Sequence, residues 1–241
     1  GQYIVTAEDI PRERRISLFG ESMPTLAEDA LRYHGESILL IGADSTESAG
    51  ALAERCSLEI SERNPRPDNR SYTGEQIVLE RTRMWGDLDG AMSKAYQIVE
   101  GSYNAGPQFH REAAGITVKS WFEEGSLLVI ETPSQWIHHV ADQVHRATGH
   151  PRRRIDVRGI GHGAFRDQLL LFPAQAAVHV ALIALRSRRP VVAHYPPEEL
   201  IAVLPARPPI RVVHSSGLDE SGNLSAVESE VTVDLGAYPF F

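Results

Sequence analysis

Cysteine is almost absent: Cys56 is the only one in 241 residues. That excludes an internal disulfide, and it excludes an iron–sulfur cluster ligated by this chain alone, which needs about four thiolates. Cys56 falls on the apolar side of an expected helix, so it reads as a small buried hydrophobe. Lysine is nearly missing too. Lys94 and Lys119 are the only lysines among 24 basic residues, which reads as codon bias rather than function. A net charge of −8 argues against nucleic acid or an anionic membrane surface as the main partner. There is no charged-then-apolar leader, and the longest uncharged apolar run, Leu169 to Leu185, falls short of about 18 residues and contains Pro173 and His179. The expectation is a soluble, cytoplasmic protein. No internal repeat, low-complexity segment, G-x-S-x-G or Walker loop is present.

What the sequence does have is a central stretch from Leu127 to Leu185. Leu127 to Glu131 reads as a short strand that ends in Thr132-Pro133-Ser134-Gln135-Trp136. A helix should follow, because Ile137, Val140, Ala141 and Val144 recur at helical spacing and Gly149-His150-Pro151 stops it. A second strand, Ile155 to Arg158, runs into Gly159-Ile160-Gly161-His162-Gly163-Ala164-Phe165. Gln168 to Leu185 is then a buried helix. Two strand-end loops that each lead into a helix offer backbone N–H groups to an anionic ligand.

The flanks are expected to be mixed. Tyr3 to Thr6 is strand-like, and an arginine-rich loop follows it. Ser37 to Ala43 reads as a buried strand, Asp44 with Glu47 as a capping box, Thr46 to Arg55 as a helix and Ser57 to Ser61 as a strand. Arg63 to Thr73 is a polar linker or exposed loop. A short helix opens at Gly86-Asp87, and strands are expected over Ile98 to Tyr103, Gly115 to Trp121 and Pro190 to His194. Pro196-Pro197-Glu198-Glu199 starts a short helix. Arg211 to Ser215 and Leu224 to Val233 form a hairpin around Asp219 to Asn223.

The order of short motifs resembles the xanthine dehydrogenase and aldehyde oxidase family of molybdenum hydroxylases. Asp9-Ile10-Pro11, Pro24, Leu26-Ala27 and Arg32-Tyr33-His34-Gly35-Glu36 are similar to that family's α/β hammerhead domain. Gly86-Asp87, Val99-Glu100-Gly101-Ser102-Tyr103 and Gln108-Phe109-His110 resemble the start of its molybdopterin-binding region. Ser134-Gln135 and Gly161 to Phe165 match its Ser/Thr-Gln pair and glycine loop, and Gly217-Leu218-Asp219 and Asp234-Leu235-Gly236-Ala237-Tyr238 follow in order. There are departures. His162 interrupts the loop, Arg166-Asp167 replace its closing glycines, and Arg111 to Gly115 replace an aromatic-Leu-Glu-Pro segment.

The resemblance implies an α+β chain: a partial α/β hammerhead domain over residues 1–66, a linker over 67–85, and the first half of a mixed α/β molybdopterin-binding domain over 86–241. It implies a fragment or split subunit of an enzyme that hydroxylates an aldehyde or N-heteroaromatic carbon with oxygen from water. The cofactor implied is molybdenum-molybdopterin, as the plain pterin or its dinucleotide. The base, a glutamate from a Gly-x-Gly-Glu segment, would come from elsewhere. The partners implied are the rest of the molybdenum subunit and iron–sulfur and flavin or haem subunits.

Within the resemblance Gln135 is the catalytic residue, its amide donating to an oxo ligand of the metal. The alternative is a helix-start residue bonded to its own backbone. Gly161, Gly163, Ala164 and Phe165 are the cofactor-binding residues, and His110 lies on the substrate side. Two other readings of that loop stay open. One is a turn needing positive φ. The other is a dinucleotide fingerprint through Gly159, Gly161 and Ala164, although Val191 to His194 carries no acidic residue. His138, His139, His145 and His150 read as solvent-facing, since no carboxylate or cysteine completes a metal set with them. A non-catalytic structural or assembly subunit is the alternative function, and the altered loop favours it.

Overall fold

A computed structural model describes residues 1–62, 77–109, 115–161 and 168–240. The chain divides into two compact units, neither continuous in sequence: residues 1–60, 109–205 and 240–241 make one, and residues 61–108 and 206–239 the other.

The first unit is built on a four-stranded sheet. Its strands are β6 (Ile116–Glu123), β7 (Leu127–Thr132), β8 (Ile155–Gly159) and β9 (Val191–Tyr195), in the spatial order β8-β7-β6-β9. β7 and β8 are parallel, whereas β6 runs antiparallel to both β7 and β9. α3 (Ile137–Thr148) joins β7 to β8, and α4 (Gln168–Ser187) lies between β8 and β9 in the chain. Alternation sets the faces: Ile116, Val118 and Ser120 are buried, while Lys119 between them is exposed. Both α3 and α4 pack on the sheet and on each other. Gly149, at φ 71, ends α3 with its N–H on the His145 carbonyl, as expected from the Gly-His-Pro sequence.

α4 is buried along nearly its whole length, with Ala174, Ala176, Ala177, Ala181 and Ala184 among its core residues. Its window Leu170–Ser187 has a mean hydropathy of 1.5, and is long and apolar enough to cross a membrane by length and composition. Seventy-eight per cent of that window is buried inside the protein, which accounts for its apolarity.

The N-terminal segment adds two small pairings to this unit. β1 (Tyr3–Val5) pairs with β4 (Leu40–Gly42), and β2 (Arg15–Leu18) pairs with β3 (Glu21–Pro24). The β2–β3 hairpin turns through Phe19 and Gly20, both at positive φ, 52° and 92°. The arginine-rich run gives no sign of that hairpin.

Four sequence expectations change here. The strand expected over Ser37–Ala43 contracts to Leu40–Gly42 and is half-buried, because it pairs with a three-residue edge strand instead of entering the main sheet. The cap of α1 (Thr46–Ala53) is Ser45, whose hydroxyl accepts from Ser48 N–H at 3.1 Å; Asp44 pairs with Arg189 instead. Ser57–Ser61 has no strand partner among the described residues and is exposed, so its alternation carries no sheet there. Cys56 is exposed as well, because α1 ends before it and buries none of its residues. The linker expected at 63–73 lies outside the described residues.

The second unit is a three-stranded antiparallel sheet, β5 (Gln97–Ala105), β10 (Ile210–Leu218) and β11 (Leu224–Val233), with β10 central. α2 (Leu88–Ser93), capped by Asp87 through Gly90 N–H, packs on β10 and β11. The hairpin turn is closed by Asp219, which accepts from Ser221 and Asn223 N–H.

Gly115 supplies one test of the first unit. It sits at φ 71 at the start of β6, and a Cβ there would lie 2.6 Å from the Tyr195 carbonyl oxygen. Gly115→Ala should therefore destabilise the unit by about 2 kcal/mol, from left-handed strain plus a backbone clash. A urea melt of the variant shows it as a lowered midpoint with unchanged slope. An unchanged midpoint would mean that β6 and β9 do not meet as described.

Candidate functional site

The carboxyl ends of β7 and β8 lie side by side, Thr132 opposite Gly159 in register. Because β6 is antiparallel, the segment that leads into it opens on the same edge, as does the chain leaving β9. Crevices at such edges are where open α/β sheets take ligands.

Three hydrogen bonds organise the turn after β7. The Thr132 carbonyl accepts from Ser134 N–H at 3.0 Å and from Ile160 N–H at 3.1 Å, so one carbonyl ties the two loops together. The Ser134 hydroxyl accepts from Trp136 N–H at 3.0 Å and shapes the approach to α3. A Cβ on Gly159 would lie 3.5 Å from Ile137 and 3.9 Å from the Ser134 carbonyl, so the loops are in close contact. Ser134 is buried and Gln135 half-buried. Gly161 is exposed, and nothing lies within 4 Å of where its Cβ would be. The starts of the two loops expected to carry the chemistry are thus brought together through Thr132, Gly159 and Ile160, with Gln135 and Gly161 following close in sequence. His110, Gly163, Ala164 and Phe165 lie outside the described residues.

The histidines of α3 correct an expectation. His138 and His145 face solvent, but His139 is buried, stacked on Trp136 at 5.0 Å between ring centroids. Its Nε2 bonds the Ser17 carbonyl at 2.7 Å. Half-buried His150 bonds the carbonyls of Ser126 and Arg154. These rings satisfy backbone groups that would otherwise be unpaired.

Beneath the edge sits a polar cluster that sequence reasoning missed. Gln175 and His179 of α4 both direct Nε2 at the Thr25 carbonyl, at 3.1 and 2.9 Å. The Tyr195 hydroxyl stands 3.5 Å from His179 Nδ1. Burial depresses His179 to about 4, against the pull of its bond to Thr25. Burial raises Tyr195 to about 12, with Glu199 adding to the shift. The only signal in the sequence is a glutamine and a histidine four residues apart in an otherwise apolar helix.

Among the described residues no group of three or more His, Cys, Asp or Glu is placed to hold a metal. A metal held near the described residues of this edge would depend on ligands from outside them, such as those of an organic cofactor. The groups present that suit an anionic one are a carboxamide, a serine hydroxyl and an unobstructed glycine; the Ser134, Trp136 and Ile160 N–H groups are bonded within the loops. α3 has no acidic residue in its first turn, so its N-terminal dipole is unopposed there.

The described part of the site is a mixed sheet whose parallel strands β7 and β8 end in two loops tied together at one edge. Residues 70–241 match the molybdopterin cofactor-binding domain family, and the chain belongs to it. The cofactor of that family is the molybdenum-molybdopterin group. A xanthine dehydrogenase subunit of Bacillus subtilis, named as probable, is 26% identical over 98% of this chain and 33% of its own length. The nicotinate dehydrogenase large molybdopterin subunit of Eubacterium barkeri is 22% identical over 95% of this chain and 56% of its own. The aldehyde oxidoreductase of Desulfovibrio gigas shares the fold with a TM-score of 0.79 at 18% identity, covering 96% of this chain and 28% of that one. The chain thus spans between about a third and a little over half of the length of these curated relatives. Its fold is the mixed α and β arrangement expected.

Proposed function

We propose that this chain forms one wall of the molybdenum site of a hydroxylase acting on an aldehyde or an N-heteroaromatic carbon, with water as the source of oxygen. The observation that carries this is the pairing of Thr132 with Gly159, which sets the Gln135 turn beside the glycine loop. In this reading Gln135 orients the group bound at the edge by hydrogen bonding and Gly161 allows its close approach; the cofactor-binding role of Gly163, Ala164 and Phe165 and the substrate-side role of His110 rest on the motif resemblance alone. When bound, the molybdenum cofactor supplies two-electron oxidation chemistry; the chain contributes position, neutral donors and exclusion of water. We further propose the division into a partial hammerhead domain (1–66), a linker (67–85) and the first half of the cofactor domain (86–241).

In this reading the rest of the machinery lies outside residues 1–241. The catalytic base and the electron-transfer centres would come from the remainder of the molybdenum subunit and from iron–sulfur and flavin or haem partners. One observation supports a covered surface. On one face of the second unit's sheet, Val99, Tyr103, Val227 and Val231 stand exposed, Tyr103 at 63% and Val231 at 58%. Since the chain spans about a third of a relative's length, the occupant we assign to this face is the rest of the molybdenum subunit. The isolated chain should self-associate, and the full complex should bury above roughly 2,000 Å² of total surface. A clean monomer with a sharp two-state melt counts against this.

Supplied with pterin cofactor and a dye acceptor, the isolated chain should turn over no aldehyde or purine. Turnover above background would mean that it needs no other polypeptide. A second reading, a structural subunit that keeps the fold without the site, rests on His162, Arg166 and Asp167 within the loop sequence.

A further inference from the structure

We infer that His139, Gln143, Gln175 and His179 are positioning residues: they clip the β2–β3 hairpin to α3 and α4 and so fix the spacing of the two site loops. This rests on the proposed site lying at the edge where those loops meet. The hairpin itself falls outside residues 70–241, the part matched to the cofactor-binding family.

The geometry repeats on the two helices. On α3, the Gln143 Oε1 accepts from Ser17 N–H at 3.0 Å, and His139 bonds the Ser17 carbonyl at 2.7 Å. On α4, Gln175 and His179 both bond the Thr25 carbonyl. Each pair is spaced i, i+4, so each helix presents two adjacent side chains to one peptide segment. Ser17 lies in β2, and Thr25 directly follows β3, where its N–H donates to the Arg14 carbonyl at 2.8 Å. One helix therefore grips the first strand of the hairpin and the other grips its exit.

The chemistry fixes the tautomers. A carbonyl only accepts, so Nε2 carries the proton in both histidines. His179 Nδ1 is left to accept from Tyr195 at the end of β9. All four side chains are under 9% exposed, where a polar group costs free energy unless it is bonded. Apolar residues would fill the same space at less risk, but they would not set register or orientation. A carbonyl held by two donors, or a peptide held at both N–H and C=O, does both.

The leverage on the Gln135 turn is short. His139 and Gln143 lie in the first two turns of α3, directly after Gln135 and Trp136. Gln175 and His179 lie in the third and fourth turns of α4, after the glycine loop. The hairpin is thus a brace common to both helices, and the Ile160 N–H bond to Thr132 reports whether the two loops hold their spacing.

The test uses the complex purified with its native partners. His179→Leu and Gln143→Met should each speed amide exchange at Ile160 by roughly fivefold to tenfold, the worth of one hydrogen bond. Amides in the β6–β7 ladder should stay unchanged, and molybdenum and pterin per chain should fall after gel filtration. His179→Gln, which keeps a donor near the Nε2 position, should restore both. Equal acceleration throughout the unit would reduce these residues to general stability, and unchanged exchange at Ile160 would overturn the inference. A wild-type complex without cofactor would sink the proposed function alone, since the exchange readout does not depend on the cofactor.

Discussion

Gln135→Ala should lower turnover of the assembled enzyme roughly ten- to a hundredfold while leaving its molybdenum content nearly unchanged. A hydrogen bond to a charged or strongly polar group is worth about 1.5–3 kcal/mol, and this rate loss follows when the bond acts in the transition state. Position supports the choice. Gln135 is half-buried at the start of α3, in a turn bonded through Thr132 to the first residues of the glycine loop. Gln135→Glu should be worse, because a carboxylate would repel an anionic group at the same distance. Steady-state kinetics beside metal analysis separate the outcomes. Equal loss of metal and activity would make Gln135 a structural residue, and unchanged kinetics would remove it from the site.

Acidification from pH 7 to pH 4 should cost the first unit about 3 kcal/mol through His179 alone. The ring titrates near 4 when folded and near 6.5 when exposed. The unfolded chain therefore takes up the proton first, and stability falls with falling pH. The contribution is complete above about pH 6.5, is lost between 6.5 and 4, and does not change further below 4. Tyr195 is the titratable group facing the ring, and it stays protonated throughout this window, with its own value pushed up to about 12. Urea midpoints measured at pH 7, 5.5 and 4 should show the slope in wild type and a flatter one in His179→Gln. The carboxylate-driven loss at lower pH should persist in both. Identical slopes would mean that His179 is not buried in the folded protein.

The strands and helices of the sheet were legible because burial imposed period. β6 alternates, β7 is apolar on both faces, and α3 repeats at helical spacing between a serine turn and Gly149. The β2–β3 hairpin was hidden because Ile16 and Leu18 alternate for only four residues, between arginines and a Phe-Gly turn. Ser57–Ser61 shows the opposite error: a similar alternation with no neighbour to pair with among the described residues joins no sheet there. Local pattern does not report whether a partner strand exists.

The site divides in the same way. That two loops would leave neighbouring strand ends followed from strand–turn–helix order, and the pairing of Thr132 with Gly159 bears it out. Which polar side chains would be buried did not follow. The sequence around His139 reads as solvent-facing because its partner, the Ser17 carbonyl, is 122 residues away. Gln175 and His179 depend on Thr25, 150 and 154 residues distant. Such bonds are set by tertiary contact, which no window of sequence contains.

The most direct measurement is the molybdenum and pterin content of the chain purified with its native partners. The account predicts molybdenum and pterin in equal amounts, stoichiometric with this chain, and lost together when the complex is unfolded. A fully assembled, folded complex that carries neither would contradict it and leave a structural role as the function.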